Sequence, residues 1–224
     1  MFEFANPTTH RRGFLGRLAG ALAVAVTGVP APLTATTPGA RQREHEDPKL
    51  EAWFNKMTGQ HRIVFDAPEP NGGMPAIFPR VYLNTMNSTY GTTDADNTAV
   101  LVLRHEGIPL GLEDAAWAKY ELGKAFDIKE NGAPATRNIY ADITGMPIPG
   151  LGVKPLLKAG VLVGICNVAL TVTAGSLAKA HGGTADAVKA DLVANLIPGI
   201  QILPSGVMGV GRSQEKGCGY CFAG

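Results

Sequence analysis

Two uninterrupted apolar runs constrain the fold of this chain more than any other feature. Residues 98–104 read TAVLVLR, and residues 160–165 read GVLVGI. Strands that are apolar at every position, rather than at every second one, are typical of sheets buried on both faces. Such sheets are mostly parallel and carry helices on each side. We therefore expect an α/β fold in which these two runs are central strands.

The rest of the chain alternates short strands with amphipathic helices, which is the pattern of a three-layer α/β/α domain with a mostly parallel five-stranded sheet. The sequence predicts strands over residues 61–66, 98–104, 160–165, 200–203 and 219–222. It predicts helices over residues 49–57, 74–90, 113–126, 153–159, 167–181, 184–196 and 205–216. We place the domain at 60–224, with a linker and short helix at 41–59 and a Pro/Gly-rich loop insertion at 127–152.

Composition supports a folded domain and argues against several function classes. The 224 residues are 45% hydrophobic and 17% charged, which is enough apolar material for a core. The formal net charge is +1 and the body of the chain has no basic block, so nucleic acid is not an expected partner. The sequence has no phosphate-loop or dinucleotide fingerprint. It also lacks a G-x-S-x-G elbow, so a serine hydrolase is not supported.

The first 40 residues have the layout of an export signal. A polar front with Arg11 and Arg12 precedes the apolar run 18–26, which is too short to span a membrane. The segment RRGFL resembles the bacterial twin-arginine signal, although His10 and Gly16 depart from the usual pattern. An ordinary secretory signal or an uncleaved anchor is the alternative. We expect a signal peptide over 1–40, export by the twin-arginine machinery, a periplasmic location and no stable membrane span after processing.

Chemically active side chains follow the predicted strands. Asp66 ends the first strand, Arg104, His105 and Glu106 end the second, and Cys166 ends the third. Open α/β sheets bind ligands at the carboxyl ends of their strands, so these side chains are candidates for one site. Cys166 also begins a helix, whose N–H groups and dipole favour a thiolate. The alternatives are that Cys166 is a buried apolar residue, that His105 is a hydrogen-bonded strand end, and that Arg104 pairs with Glu106.

Two further cysteines close the chain at CxxC spacing in the segment KGCGYCFAG. In an extended strand Cys218 and Cys221 lie roughly 10 Å apart, too far to form a disulfide without a turn. A structural zinc takes four ligands, so Cys166 and His105 could join the pair only if the last strand returns beside the carboxyl end of the third. A structural or disulfide role, a metal or redox site and an undetermined role all stay open. No motif in the sequence requires a cofactor, and a metal ion is the cofactor that these residues could bind.

The C-terminal half resembles the DsrE family, small α/β proteins best known from sulfur-transfer systems. The resemblance is carried by Cys166 with Asn167 and by three later segments. These segments are PG at 198–199, PSGV at 204–207 and QEKG at 214–217. The resemblance covers residues 60–224. It implies a flavodoxin-like three-layer fold, assembly into trimers or hexamers, and a persulfide-carrying cysteine at Cys166.

Two features depart from that family. Members of cytoplasmic sulfur relays carry no export signal, and the closing CxxC is not a general feature of the family. We expect an exported DsrE-like protein that binds or carries sulfur through Cys166, with His105 and Arg104 as candidate catalytic partners. The alternative is a non-catalytic oligomeric module that binds a ligand, a metal or a partner. Whether the chain is an enzyme stays open.

Overall fold

A five-stranded sheet forms the centre of the protein in a computed structural model, which describes residues 47–224. Its strands are β1 (His61–Ala67), β2 (Asn97–Leu103), β3 (Leu162–Cys166), β4 (Gln201–Leu203) and β5 (Gly219–Phe222). They lie in the order β4-β3-β2-β1-β5, and every neighbouring pair is parallel. The predicted α/β class is confirmed, and the sheet is parallel throughout. The predicted signal peptide lies outside the described residues.

Eight helices flank this sheet in the described part of the chain. They are α1 (Pro48–Phe54), α2 (Phe78–Tyr90), α3 (Asp114–Lys119), α4 (Leu122–Ala125), α5 (Val153–Lys158), α6 (Asn167–His181), α7 (Ala185–Ala194) and α8 (Gly206–Glu215). Segments of 3₁₀ helix cover Asn71–Ala76, Asp94–Asp96 and His105–Gly111. A two-residue ladder pairs Lys129–Glu130 with Ala133–Pro134. None of the helices within residues 47–224 is both long enough and apolar enough to cross a bilayer.

The strand order decides which helices cover each face of the sheet. The chain steps from β1 to β4 in one direction, and right-handed crossovers then place α2 to α7 on the same face. The return from β4 to β5 reverses that direction and places α8 on the opposite face, where α1 also packs. Along β2, Leu101 and Leu103 belong to the first core, whereas Val100 and Val102 belong to the second. This is the predicted three-layer, flavodoxin-like arrangement.

The helix predicted over residues 113–126 is divided into α3 and α4. The break is at Glu121, whose φ of 46° lies in the left-handed region and ends a regular helix. Immediately after it, the backbone of Gly123 packs against residue 135: a Cβ on Gly123 would lie 2.1 Å from the carbonyl oxygen of Ala135. The turn therefore lets the chain approach the loop insertion more closely than a continuous helix allows.

The loop insertion at 127–152 is fastened to the domain by a buried asparagine. The side-chain amide of Asn138 donates to the carbonyl oxygens of Leu112 at 2.7 Å and Leu110 at 3.0 Å. Its carbonyl oxygen accepts from the backbone N–H of Tyr140 at 2.9 Å. These bonds satisfy the carbonyl groups at the end of the unpredicted 3₁₀ turn His105–Gly111, which leads out of β2. The insertion is therefore part of the core that supports the carboxyl end of β2.

Candidate functional site

A cavity of about 700 Å³ lies at the carboxyl edge of the sheet. Its walls come from the ends of β2 and β3, the first turns of α6 and α8, and the segment that follows α4. The predicted site residues Arg104, His105 and Cys166 all line it. The rule that parallel strands place their carboxyl ends along one edge therefore brings these three residues together.

Cys166 occupies the junction between β3 and α6. It is the N-cap of the 15-residue helix α6, and its Sγ accepts a hydrogen bond from the backbone N–H of Ala169 at 3.3 Å. The residue is 6% exposed: it belongs to the first core, and it also lines the cavity. A helix N-terminus stabilises negative charge, so this position suits a sulfur atom that carries charge during a reaction.

Gly206 brings the start of α8 against both Cys166 and Arg104. A Cβ on Gly206 would lie 2.6 Å from the Cβ of Arg104 and 3.2 Å from the Cβ of Cys166. The adjacent Ser205 caps α8, because its Oγ accepts from the N–H of Met208 at 3.1 Å. The N-termini of α6 and α8 therefore open onto the same cavity, and three separate chain segments meet at Gly206.

Arg104 is held by a carboxylate from the neighbouring strand. Its Nε and Nη2 donate to Oδ1 and Oδ2 of Asp66 at 2.6 and 2.9 Å, which is a bidentate pair. The hydroxyl of Tyr220 donates to Oδ2 of the same carboxylate at 2.9 Å. The hydrogen bond to Asp66 is the main cause that raises the pKa of Arg104, and burial opposes it. Arg104 thus pairs with Asp66, and the alternative pairing with Glu106 is not formed.

His105 is the first residue of the 3₁₀ turn after β2 and has a φ of 49°. The turn is fixed because the N–H of Arg104 donates to the carbonyl of Ala67 and the N–H of Gly107 donates to that of Pro68. The imidazole is exposed at the cavity wall, with no side-chain hydrogen bond to any residue in the range 47–224. This placement leaves His105 accessible to a ligand without orienting its ring.

The closing cysteines lie on opposite faces of the sheet. Cys218 is buried in the core beneath α1 and α8, whereas Cys221 packs beside Phe65 on the other face. Both are free thiols. Burial raises the pKa of Cys218, and the charge of Arg62 opposes that shift. The CxxC pair therefore forms neither a disulfide nor a dithiol site in this structure.

The metal set predicted at Cys218, Cys221 and His105 is not assembled. β5 lies at the edge of the sheet beyond β1, and three strand spacings, about 14 Å, separate it from β3. No group of three His, Cys, Asp or Glu side chains within residues 47–224 is close enough to hold a metal ion. The prediction needed the last strand to return beside the third, and the strand order places it on the opposite side of β1.

Tyr220 is not among the site residues that the sequence predicts. It stands between Cys218 and Cys221, whose CxxC spacing is the stronger chemical signal. The available signal was the period of two along a strand, since Tyr220 shares a face with Val64 and Asp66 once β5 is paired with β1. That signal can be used only after the strand order is known.

Comparison with known proteins assigns no function to this chain, so the function is inferred from the geometry of the site. No protein family model matches the chain, and no curated protein matches it. Among solved structures, the chain is similar to MTH1491, a protein of unknown function from Methanobacterium thermoautotrophicum. The sequence identity is 16% and the TM-score 0.38, over 73% of this chain and 99% of the other.

Proposed function

We propose that this chain is an exported, DsrE-like protein that takes up sulfur on Cys166. The observation that carries the proposal is the place of this thiol, at the N-cap of α6 and on the wall of the cavity. A reactive cysteine needs stabilisation of its thiolate and access for a second sulfur compound. The helix N-terminus and the N–H of Ala169 support the first requirement, and the cavity supports the second.

The step is a transfer of sulfane sulfur from a persulfide donor of the form R–S–SH. The thiolate of Cys166 attacks the outer sulfur of the donor, and a new S–S bond forms on Cys166. The S–S bond of the donor breaks, and R–S⁻ leaves with the bonding electron pair. The hydrogen stays with the transferred sulfur, so the products are a cysteine persulfide and a thiolate, with no net oxidation.

Mass spectrometry of the folded protein after treatment with a small-molecule persulfide tests this function. We expect the peptide that contains Cys166 to gain the mass of one sulfur atom. Cys166→Ser is a suitable variant, because serine keeps the helix cap and removes the thiol. Cys221→Ser is the matched control and should leave the gain at Cys166 unchanged. A wild-type Cys166 peptide that gains no sulfur would overturn the function.

Export is the second part of the proposal and depends on Arg11 and Arg12. Twin-arginine signals require the arginine pair itself, so replacing both with lysine should retain the protein in the cytoplasm although the charge is unchanged. Fractionation of bacterial cells that express each form is the measurement. Equal export of the wild type and the double lysine variant would rule out the twin-arginine route.

A non-catalytic binding module is the second candidate function. It is favoured by the large exposed side chains of Val168, Val172 and Val207, which surround the cavity. Exposed apolar surface of this kind is typical of an interface with another protein, here a second copy of the chain. Light scattering should then give an oligomer for the wild type and a smaller species for Val172→Asp. A monomeric wild type would contradict this candidate.

A further inference from the structure

Three neighbouring strands each contribute one residue to a hydrogen-bonded network behind the cavity. Arg104 follows β2, Asp66 belongs to β1, and Tyr220 belongs to β5. The parallel register places Asp66 opposite Val102 and Tyr220 opposite Val64, so all three side chains lie on the same face of the sheet. Asp66 stands between the other two and accepts three hydrogen bonds from them.

The network is polarised towards the cavity. Asp66 is 4% exposed and does not line the cavity, whereas the side chain of Arg104 is 27% exposed and does. The pair therefore buries its negative end and presents its positive end to Cys166. A guanidinium has five N–H donors, and Asp66 uses two of them. Three donors remain for a ligand in the cavity.

Tyr220 fixes the carboxylate that orients the guanidinium. Its hydroxyl shares Oδ2 of Asp66 with Nη2 of Arg104, so the carboxylate is held from two sides. A tyrosine hydroxyl is protonated at neutral pH and can donate to the carboxylate, and burial and the hydrogen bond to Asp66 raise the pKa of Tyr220 further. Without this hydroxyl, the bidentate pair keeps its two hydrogen bonds but loses the contact that holds the carboxylate from the side of β5.

We infer that Asp66 and Tyr220 are positioning residues that fix Arg104 beside Cys166 and make the site prefer anionic sulfur compounds to neutral ones. This inference rests on the proposed function, because it specifies the substrate class of the same site. Tyr220 thereby gives the closing segment KGCGYCFAG a role that its two cysteines do not have.

The test compares two alkylating reagents of nearly equal size at Cys166. Iodoacetate is an anion and iodoacetamide is neutral. The rate constant for iodoacetate divided by the rate constant for iodoacetamide therefore reports how strongly the site prefers an anion. Mass spectrometry of the Cys166 peptide gives both rates in the full chain. General loosening of the fold accelerates both reagents alike, so a purely structural role does not account for a change in this ratio.

Four variants separate the contributions to the ratio. Arg104→Gln should lower it about tenfold, and Arg104→Lys should lower it less, because lysine keeps the charge but not the paired donors. Tyr220→Phe should lower it about threefold, the effect of losing one hydrogen bond. Tyr90→Phe removes the hydroxyl of an exposed tyrosine on α2 and should leave the ratio unchanged.

The outcomes distinguish this inference from the function on which it rests. A ratio that is the same in the wild type and in Tyr220→Phe overturns the positioning role, even if Cys166 takes up sulfur. A ratio that responds to Arg104 and Tyr220 while Cys166 gains no sulfur supports the positioning role and overturns the proposed function alone. A Cys166 that reacts with neither reagent in the folded protein overturns both.

Discussion

At the scale of single residues, the most restrictive position in the site is Gly206. Its Cα lies where β4 passes into α8, and the space that a Cβ would occupy is already taken by the side chains of Arg104 and Cys166. The approach of α8 to these residues therefore depends on the absence of a side chain rather than on any bond. A single methyl group added at this position would collide with Arg104 and crowd Cys166.

Replacing Gly206 with alanine should destabilise the protein by about 1–3 kcal/mol, because the new methyl group overpacks the contact with Arg104. The same change should slow sulfur uptake at Cys166. Gly211 in the same helix is the matched control, since nothing lies within 4 Å of a Cβ built on it. Gly211→Ala should stabilise the protein by about 0.5–1 kcal/mol. Urea unfolding measures both effects, and equal stability of the two variants would contradict the crowding argument.

At the scale of elements, the sequence predicts features that depend on neighbouring residues, and it does not predict features that depend on contacts between distant residues. Strands β2 and β3 were predicted closely because their apolar character is local. The break between α3 and α4 was missed, since the pattern of residues 113–126 is helical and only the approach to residue 135 requires the turn at Glu121. Cys166 and Arg104 could be placed at one edge from the parallel sheet alone. The partnership of Asp66 with Tyr220 could not, because it depends on which edge of the sheet β5 joins.

The turn before β2 should make the stability of the protein depend on pH. Two hydrogen bonds from Arg80 are the main cause that holds the pKa of Asp94 below its ordinary value of 3.8. A carboxyl group whose pKa is lower in the folded state than in the unfolded state stabilises the protein at pH values above its unfolded-state pKa. This stabilisation is lost as the pH falls through its folded-state pKa. Asp94→Asn should therefore be less stable than the wild type at neutral pH, and the difference should shrink between about pH 5 and pH 3.

Thermal unfolding across this pH range provides the measurement. Arg80→Gln removes the main cause of the pKa shift and should flatten the profile in the same way as Asp94→Asn. If Asp94→Asn differed from the wild type by the same amount at both ends of the range, the ion pair would not be the source of the pH dependence.

The attachment of the loop insertion can be tested at Asn138. Asn138→Ala leaves the buried carbonyls of Leu110 and Leu112 without their donor, and we expect a loss of about 2–3 kcal/mol. Asn84→Ala changes an exposed asparagine on α2 and should stay within about 0.5 kcal/mol of the wild type. Chemical unfolding of both variants gives the comparison. Similar stabilities would show that the loop is held by its apolar contacts alone.

At the scale of the whole molecule, the sheet separates two cores of unequal size. Helices α2 to α7 supply the larger core, whereas the second core depends on α8 and on α1, which precedes the first strand. The indole of Trp53 from α1 reaches β3, where a Cβ on Gly164 would lie 3.3 Å from its ring. The short helix before the sheet is thus a structural part of the layer that faces α8.

Trp53→Ala should lower the free energy of unfolding by about 3–5 kcal/mol, because the indole is buried and leaves a large void in the smaller core. Tyr90→Ala removes an exposed aromatic ring from α2 and should change it by less than about 1 kcal/mol. Denaturant unfolding measures both. A Trp53→Ala protein as stable as Tyr90→Ala would mean that α1 does not stabilise the sheet.

The pairing of the last strand with the first also sets the timing of assembly. About 150 residues separate the end of β1 from the start of β5, so a ribosome takes roughly 8 to 30 seconds to supply the second neighbour of β1. During that interval β1 is an open sheet edge, which is the kind of surface that pairs with other chains. The hydroxyl that donates to Asp66 arrives with β5. The network of Asp66, Arg104 and Tyr220 therefore forms only after this strand has joined the sheet.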